Sequence, residues 1–217
     1  MTALLVASRN RKKLAELRRV LDGAGVATLK LVSLDDVPAF DEVPETGVTF
    51  EDNALAKARG GFAATGLACV ADDSGLEVDA LNGMPGVLSA RWAGVHGDDA
   101  ANTALLLAQL RDVPDERRGA RFVSACALVS GSGEVVVRGE WPGVIAREPR
   151  GGGGFGYDPV FVPEGETRTA AQLSPAEKDA LSHRGRALSL NPWMGDFVLP
   201  STRLFWDAAE CGAVGRG

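Results

Sequence analysis

A chain of 217 residues is long enough for one large domain or for two lobes that share a core. Its 45% hydrophobic and 24% charged residues suit a soluble globular protein and exclude a disordered or fibrous one. With 29 acidic against 23 basic residues the net charge is −6, which argues against general affinity for a nucleic-acid backbone. No apolar run approaches the roughly 20 residues of a bilayer span. The stretch from Met1 to Ala7 lacks the basic region of a signal peptide, so a cytoplasmic protein without a membrane partner is expected. Cys69, Cys126 and Cys211 are odd in number, far apart and without metal-ligand spacing, and read as reduced thiols. Glycine is in excess: 27 residues, about 12% against a usual ~7%. Tight turns, or a backbone that approaches a ligand closely, would account for it.

Leu4 to Ala7 is a short apolar run that predicts a buried strand. Leu14, Leu17, Val20 and Leu21 then fall on one helical face, which Gly23 ends. Leu29 to Leu34 predicts a second strand, followed by a polar loop from Asp35 to Gly47. Thr49 is placed to cap a helix with Asp52 at its third position. That helix carries Asn53, Ala56 and Lys57 and is expected to weaken at Gly60-Gly61. Leu67 to Ala71 predicts a buried strand ending in Asp72-Asp73-Ser74-Gly75, and Asp98 to Leu110 a helix capped by Asp98 or Asp99. Three β segments follow (Arg121–Val129, Glu134–Trp141, Val144–Arg147), with turns at Ser130–Gly133 and Pro142-Gly143. Ser174-Pro175-Ala176-Glu177 opens a last helix. Strands with helices, then a meander, then a helix predict a mixed α/β protein.

Four segments carry residues suited to chemistry. Ser8-Arg9-Asn10-Arg11-Lys12-Lys13 crowds four cations at a helix start, where the helix dipole disfavours them. A bound phosphate would compensate, although a solvated basic turn has the same composition. Asn53 and Lys57 share a helix face near Glu45 and the Asp72-Asp73 pair. Alternation along a strand lets only one of the two aspartates face a given cleft easily. A Glu and an Asp with phosphates suffice for Mg²⁺, while each acid taken singly suits a cap or a surface charge. Gly151 to Asp158 contains a G-x-G-x-x-G pattern, but Tyr157-Asp158-Pro159 cannot open a helix, so the dinucleotide reading fails. The loop could present Phe155 to a base with Asp158 at its edge, or be a glycine turn with a core Phe. Lys178, Ser182, His183 and Arg184 add donors on the last helix, where a plain surface group is the alternative; His96 reads as structural.

Taken together, S-R-N-R-K-K, P-E-T-G-V-T-F-E-D-N-A-L-A-K-A, A-D-D-S-G-L, G-M-P-G-V-L-S-A-R-W, G-G-F-G-Y-D-P-V-F and S-H-R-G-R-A-L resemble the inosine triphosphate pyrophosphatase family, in its order and spacing, from Leu4 to Leu188. The resemblance implies a two-lobed α/β fold with a mixed sheet, flanking helices and the active site between the lobes. It implies one domain over 1–190, homodimerisation, and Mg²⁺-dependent hydrolysis of ITP, dITP or XTP to the monophosphate and pyrophosphate. It implies triphosphate contacts from Ser8, Arg9, Asn10, Arg11, Lys12, Lys13 and Lys57, and a substrate contact from Ser74. Glu45 and Asp73 match the metal-associated acids, and Asp73 the proton acceptor. Phe155, Gly156, Tyr157, Asp158, Lys178, His183 and Arg184 match the base-recognition set. Asp52 stands where the family more often has Glu, and the segment 191–217, broken at Asn191-Pro192, lies outside the resemblance. A binding module that holds the nucleotide uncleaved, or a related pyrophosphatase for other modified nucleotides, would share part of this pattern.

Overall fold

The computed structural model describes residues 3–8, 15, 18–19 and 30–181. The strands β1 (Ala3–Val6) and β2 (Lys30–Ser33) form as the apolar runs predict. The helix predicted from Leu14 to Leu21 lies outside the described residues, save that Ala15, Arg18 and Arg19 are helical. Helix α1 (Phe50–Thr65) starts where expected, with the Asp52 amide donating to Thr49 Oγ1 at 3.1 Å. It does not weaken at Gly60-Gly61. Phe50, Ala54 and Ala58 are buried against the sheet residues Ala71, Val123, Ala125 and Ala127, and this packing overrides the poor glycine propensity.

The strand predicted to end before Asp72 runs on. β3 spans Ala68–Val78, because β4 (Gly119–Ser130) pairs antiparallel with it along the whole length, from Cys69–Val129 to Val78–Ala120. β5 (Gly133–Ile145) is likewise one strand, where a turn at Pro142-Gly143 is predicted. The Pro142 carbonyl faces away from β4 and accepts from the Glu164 amide at 2.9 Å, so its missing N–H is not one the β4 ladder requires. β6 (Phe161–Pro163) closes the sheet, whose order is β2-β1-β3-β4-β5-β6.

β2, β1 and β3 are parallel, while β4 to β6 form an antiparallel meander, giving a mixed α/β sheet of two halves joined at β3. Helix α2 (Asp99–Gln109) covers the meander on the face opposite α1, where Leu106 and Leu110 meet Leu76, Val78, Phe122, Trp141 and Phe161. The last helix, α3 (Pro175–Leu181), is capped as read: the Ser174 amide donates to Glu177 Oε2 and the Glu177 amide to Ser174 Oγ. No described helix is long and apolar enough to cross a membrane.

One mismatch in strand length creates the site. β1 pairs with β3 only as far as Val70, so among the described residues β3 has no strand beside it on that side from Ala71 to Gly75, and farther on Glu77 bridges Pro85. A short 3-10 segment, Gly86–Arg91, lies against that edge. The Leu76 amide donates to Ser89 Oγ at 2.8 Å, and Ser89 Oγ donates to the Gly86 carbonyl at 2.6 Å. The approach leaves room only for glycine at position 75, where a Cβ would lie against Ser89 Oγ and 2.6 Å from the Gly86 carbonyl. Gly75→Ala is therefore expected to cost about 1–3 kcal/mol, lowering the melting temperature by roughly 2–10 °C in a thermal scan. An unchanged melting temperature would mean that the segment is not held against the edge.

Candidate active site

A cleft of about 310 Å³ opens at this edge of β3, at the lower end of the volumes that hold small molecules. Its walls come from the end of β1 (Ala7, Ser8), from α1 (Lys57), from β3 (Asp72 to Gly75) and from the loop Phe155–Asp158, with Lys178 of α3 behind.

Both aspartates line it. Asp73 lies on the α1 face of the sheet, as its partner Ala125 does, and Asp72 lies on the other. Alternation holds, but its consequence does not: a cleft at a strand edge collects side chains from both faces, which a cleft on one face cannot. Asp73 is buried, and its Oδ2 accepts from Asn53 Nδ2 at 3.0 Å. Asn53 in turn accepts the Gly47 amide at 2.8 Å, which draws the loop carrying Glu45 toward Asp73. Asp72 accepts from the Ser74 hydroxyl at 3.1 Å.

Lys57 sits between the acids. Its ammonium is 2.9 Å from Glu45 Oε1 and 3.4 Å from Asp73 Oδ1. Burial pulls this amine down, but the carboxylates of Asp73, Asp72 and Glu45 outweigh it and hold Lys57 above the ordinary lysine range. Arg91 approaches Glu45 from the other side, Nη1 to Oε2 and Nη2 to the backbone carbonyl, both at 3.3 Å.

At the far end, the glycine-rich loop is held by a bond within itself and by three residues outside it, Lys178, Asp99 and Ser89. Asp158 Oδ2 accepts from the Phe155 amide at 2.7 Å and from Lys178 Nζ at 2.6 Å. Lys178 Nζ also lies 4.8 Å from the centre of the Phe155 ring. Asp99 Oδ2 accepts the Gly156 amide at 2.7 Å, and the Tyr157 hydroxyl donates to the Ser89 carbonyl at 2.9 Å. No helix follows the loop, so rejection of the dinucleotide motif holds. Gly154 is required, since its φ is +71° and a Cβ would run into the Asp158 carboxylate. Burial, then Asp99, pushes the Tyr157 phenol up, so it stays a proton donor.

The Ham1 family model matches residues 4–190. The chain belongs to the Ham1 family. It is 84% identical over 190 residues to a dITP/XTP pyrophosphatase of Mycobacterium bovis, covering 88% of this chain and 93% of that one. The counterpart of that name in Nocardia farcinica is 78% identical over 189 residues, with 87% and 92% covered. Among solved structures, a nucleoside-triphosphatase/dITP/XTP pyrophosphatase of Mycobacterium abscessus is 72% identical with a TM-score of 0.74, covering 88% of this chain and 100% of that one. A HAM1 protein of Coxiella burnetii is 42% identical with a TM-score of 0.78, at 88% and 96% coverage. The Ham1 fold thus accounts for the expected mixed α/β sheet with flanking helices.

Of the residues expected at the Ham1 site, Ser8, Glu45, Lys57, Asp73, Ser74, Phe155, Gly156, Tyr157, Asp158 and Lys178 line the one cleft. Arg9, Asn10, Arg11, Lys12, Lys13, His183 and Arg184 lie outside the described residues. Sequence reading passed over Glu42, Ser89, Arg91 and Asp99, and set His96 aside as structural, yet His96, Asp99 and Glu42 reach the same cleft. Arg91 stands inside a quoted motif, and Asp99 beside the cap Asp98, so each had a visible local explanation that hid its second contact.

The donors suit a hard divalent cation. Glu45 and Asp73 offer carboxylate oxygens converging on one point, now spanned by the Lys57 ammonium. Among the described residues no three acids, histidines or cysteines gather to hold a metal on their own. A cation here would rest on one or two carboxylates, with water and phosphate oxygens completing its shell, which is how Mg²⁺ is usually held.

Proposed function

We propose that the chain hydrolyses deaminated purine nucleoside triphosphates, namely ITP, dITP and XTP, to the monophosphate and pyrophosphate, with Mg²⁺, in the cytoplasm and as a homodimer. The observation that carries this is the two-ended cleft: Glu45, Asp73 and Lys57 meet at one end, and an aromatic ring on a fixed loop stands at the other. The relatives' names support the same reaction.

In the reaction, water adds to the α-phosphorus and the bond to the β-phosphate bridging oxygen breaks, so pyrophosphate leaves and the water's proton must go to a base. Asp73 is the group for that proton, because Asn53 fixes its carboxylate and Lys57 favours its charged form. Lys57 and the cations from Arg9 to Lys13 stabilise negative charge spreading onto the leaving group. Mg²⁺ at Glu45 and Asp73 would supply further neutralisation of the phosphates. Ser8 and Ser74 offer hydroxyls near them. At the other end Phe155 stacks on the base, while Asp158 and Lys178 hold the loop in place. Tyr157 and Gly156 shape the floor. His183 and Arg184, as donors, would match a 6-oxo purine and leave adenine unpaired.

Pyrophosphate release from ITP, XTP, GTP, ATP and dTTP, with and without Mg²⁺, tests the reading. ITP and XTP are expected to exceed ATP by at least about 100-fold in kcat/KM, and only with Mg²⁺ present. Binding without release would favour a sensor, and a preference for dTTP a different pyrophosphatase.

A further inference from the structure

We infer that the Gly86–Arg91 segment is a strut coupling the base-facing loop to the acid pair, with Tyr157 and Arg91 as positioning residues at its two ends. This rests on the reaction proposed above and concerns how the right base is turned into turnover.

The links are all direct contacts. The Tyr157 ring is buried, and its hydroxyl is spent on the Ser89 carbonyl at 2.9 Å rather than facing the cleft as a free donor. Ser89, also buried, pins the segment to β3 through the Leu76 amide and braces it internally through the Gly86 carbonyl. Two residues on, the Arg91 guanidinium forks onto Glu45, holding both a carboxylate oxygen and the main-chain carbonyl. Glu45 then shares the Lys57 ammonium with Asp73. The fork matters: it ties the Glu45 carboxylate to that residue's own main chain through one planar group, which a point charge on a flexible stem cannot do.

A base seated on Phe155 therefore sets Tyr157, and Tyr157 sets the position of Ser89 and, through Arg91, of Glu45. A base that displaces the loop displaces the acid. Part of the discrimination should then appear in kcat rather than in binding, as expected when the correct substrate completes the catalytic arrangement.

The test uses the full chain carrying Tyr157→Phe, Arg91→Gln, Arg91→Lys or the double change Tyr157→Phe/Arg91→Gln. Steady-state kcat and KM are measured for ITP and GTP, with ITP affinity by calorimetry in EDTA and melting temperatures alongside. Each single change is expected to lower kcat for ITP about tenfold, as loss of one such hydrogen bond does. The loss for GTP should be smaller, so the ratio of the two kcat values narrows by more than about threefold, outside the margin within which independent sites add. The double variant should be no worse than its worse parent. Arg91→Lys keeps the charge and loses the fork, and it should narrow the ratio as Arg91→Gln does. ITP affinity in EDTA should change less than kcat. If the two losses multiply, or the ratio stays put in both single variants, or Arg91→Lys behaves as wild type, the strut is wrong. A variant that melts early but keeps the ratio shows a merely structural role and counts against the strut. Should wild-type protein release no pyrophosphate from ITP, the proposed reaction fails, and the strut with it; an active wild type with multiplying losses removes the strut alone.

Discussion

Asp73→Asn is expected to lower turnover of ITP at least about 100-fold while leaving nucleotide binding within about tenfold of wild type. The amide keeps the size of the side chain and one oxygen able to accept from Asn53, but it removes the negative charge and the basicity. General-base help alone is worth about 10²–10⁴-fold, and loss of a carboxylate beside the phosphates adds to that. Asp72→Asn is the comparison. Asp72 projects from the other face of β3, accepts from Ser74 and acts on Lys57 through its charge. Its loss should cost no more than about tenfold, one weakened charge-assisted contact. Pyrophosphate release at saturating Mg²⁺, with ITP binding and thermal melting measured on the same samples, decides between them. If Asp73→Asn retained more than about a tenth of wild-type turnover, the proton would have another destination, Glu45 first among the described acids.

The reason the two aspartates were separable only in part from sequence is physical. The identity of each side of β3 follows from alternation, and the shared face of Asn53 and Lys57 is a local consequence of their i, i+4 spacing on a helix that Thr49 caps, to which Asp73 comes from β3, 20 and 16 residues on. The place where the strand ends is not local. It depends on β4, about fifty residues downstream, continuing the ladder past Val70 where β1 stops. That difference in length turns the site from a cleft on one face into one at an edge, and so admits Asp72. Arg91 and Asp99 were hidden for the same reason: their partners, Glu45 and Gly156, are distant in sequence, and no periodicity brings them together. The cap at Ser174, whose partners lie three residues apart, was fully readable. Pro142, a strong turn signal, sits within a strand because its missing hydrogen falls on the side where β4 does not pair.

Lys57→Met carries the second large effect, and its sign can be worked out from the geometry. The ammonium touches both Glu45 and Asp73, and it is held charged by the same acids. Methionine fills a similar volume without the charge. In the folded variant the two carboxylates lose their shared cation, so the charged form of each is less favoured than in wild type. A base that must be ionised to take a proton is then lost at higher pH than before. The acid limb of the kcat/KM profile should therefore move upward. At pH 7 the combined loss of leaving-group stabilisation and base ionisation is expected to lower kcat/KM by about 10²–10³-fold. Stability should move the same way, because Asp73 is buried and loses the ammonium that offsets its charge. Raising the pH should restore part of the lost rate in Lys57→Met, whereas Asp73→Asn, which has no carboxylate at that position to ionise, should show no such recovery. Equal and flat profiles for the two variants would remove Lys57 from any role in setting the charge of Asp73, and leave it as a phosphate contact alone.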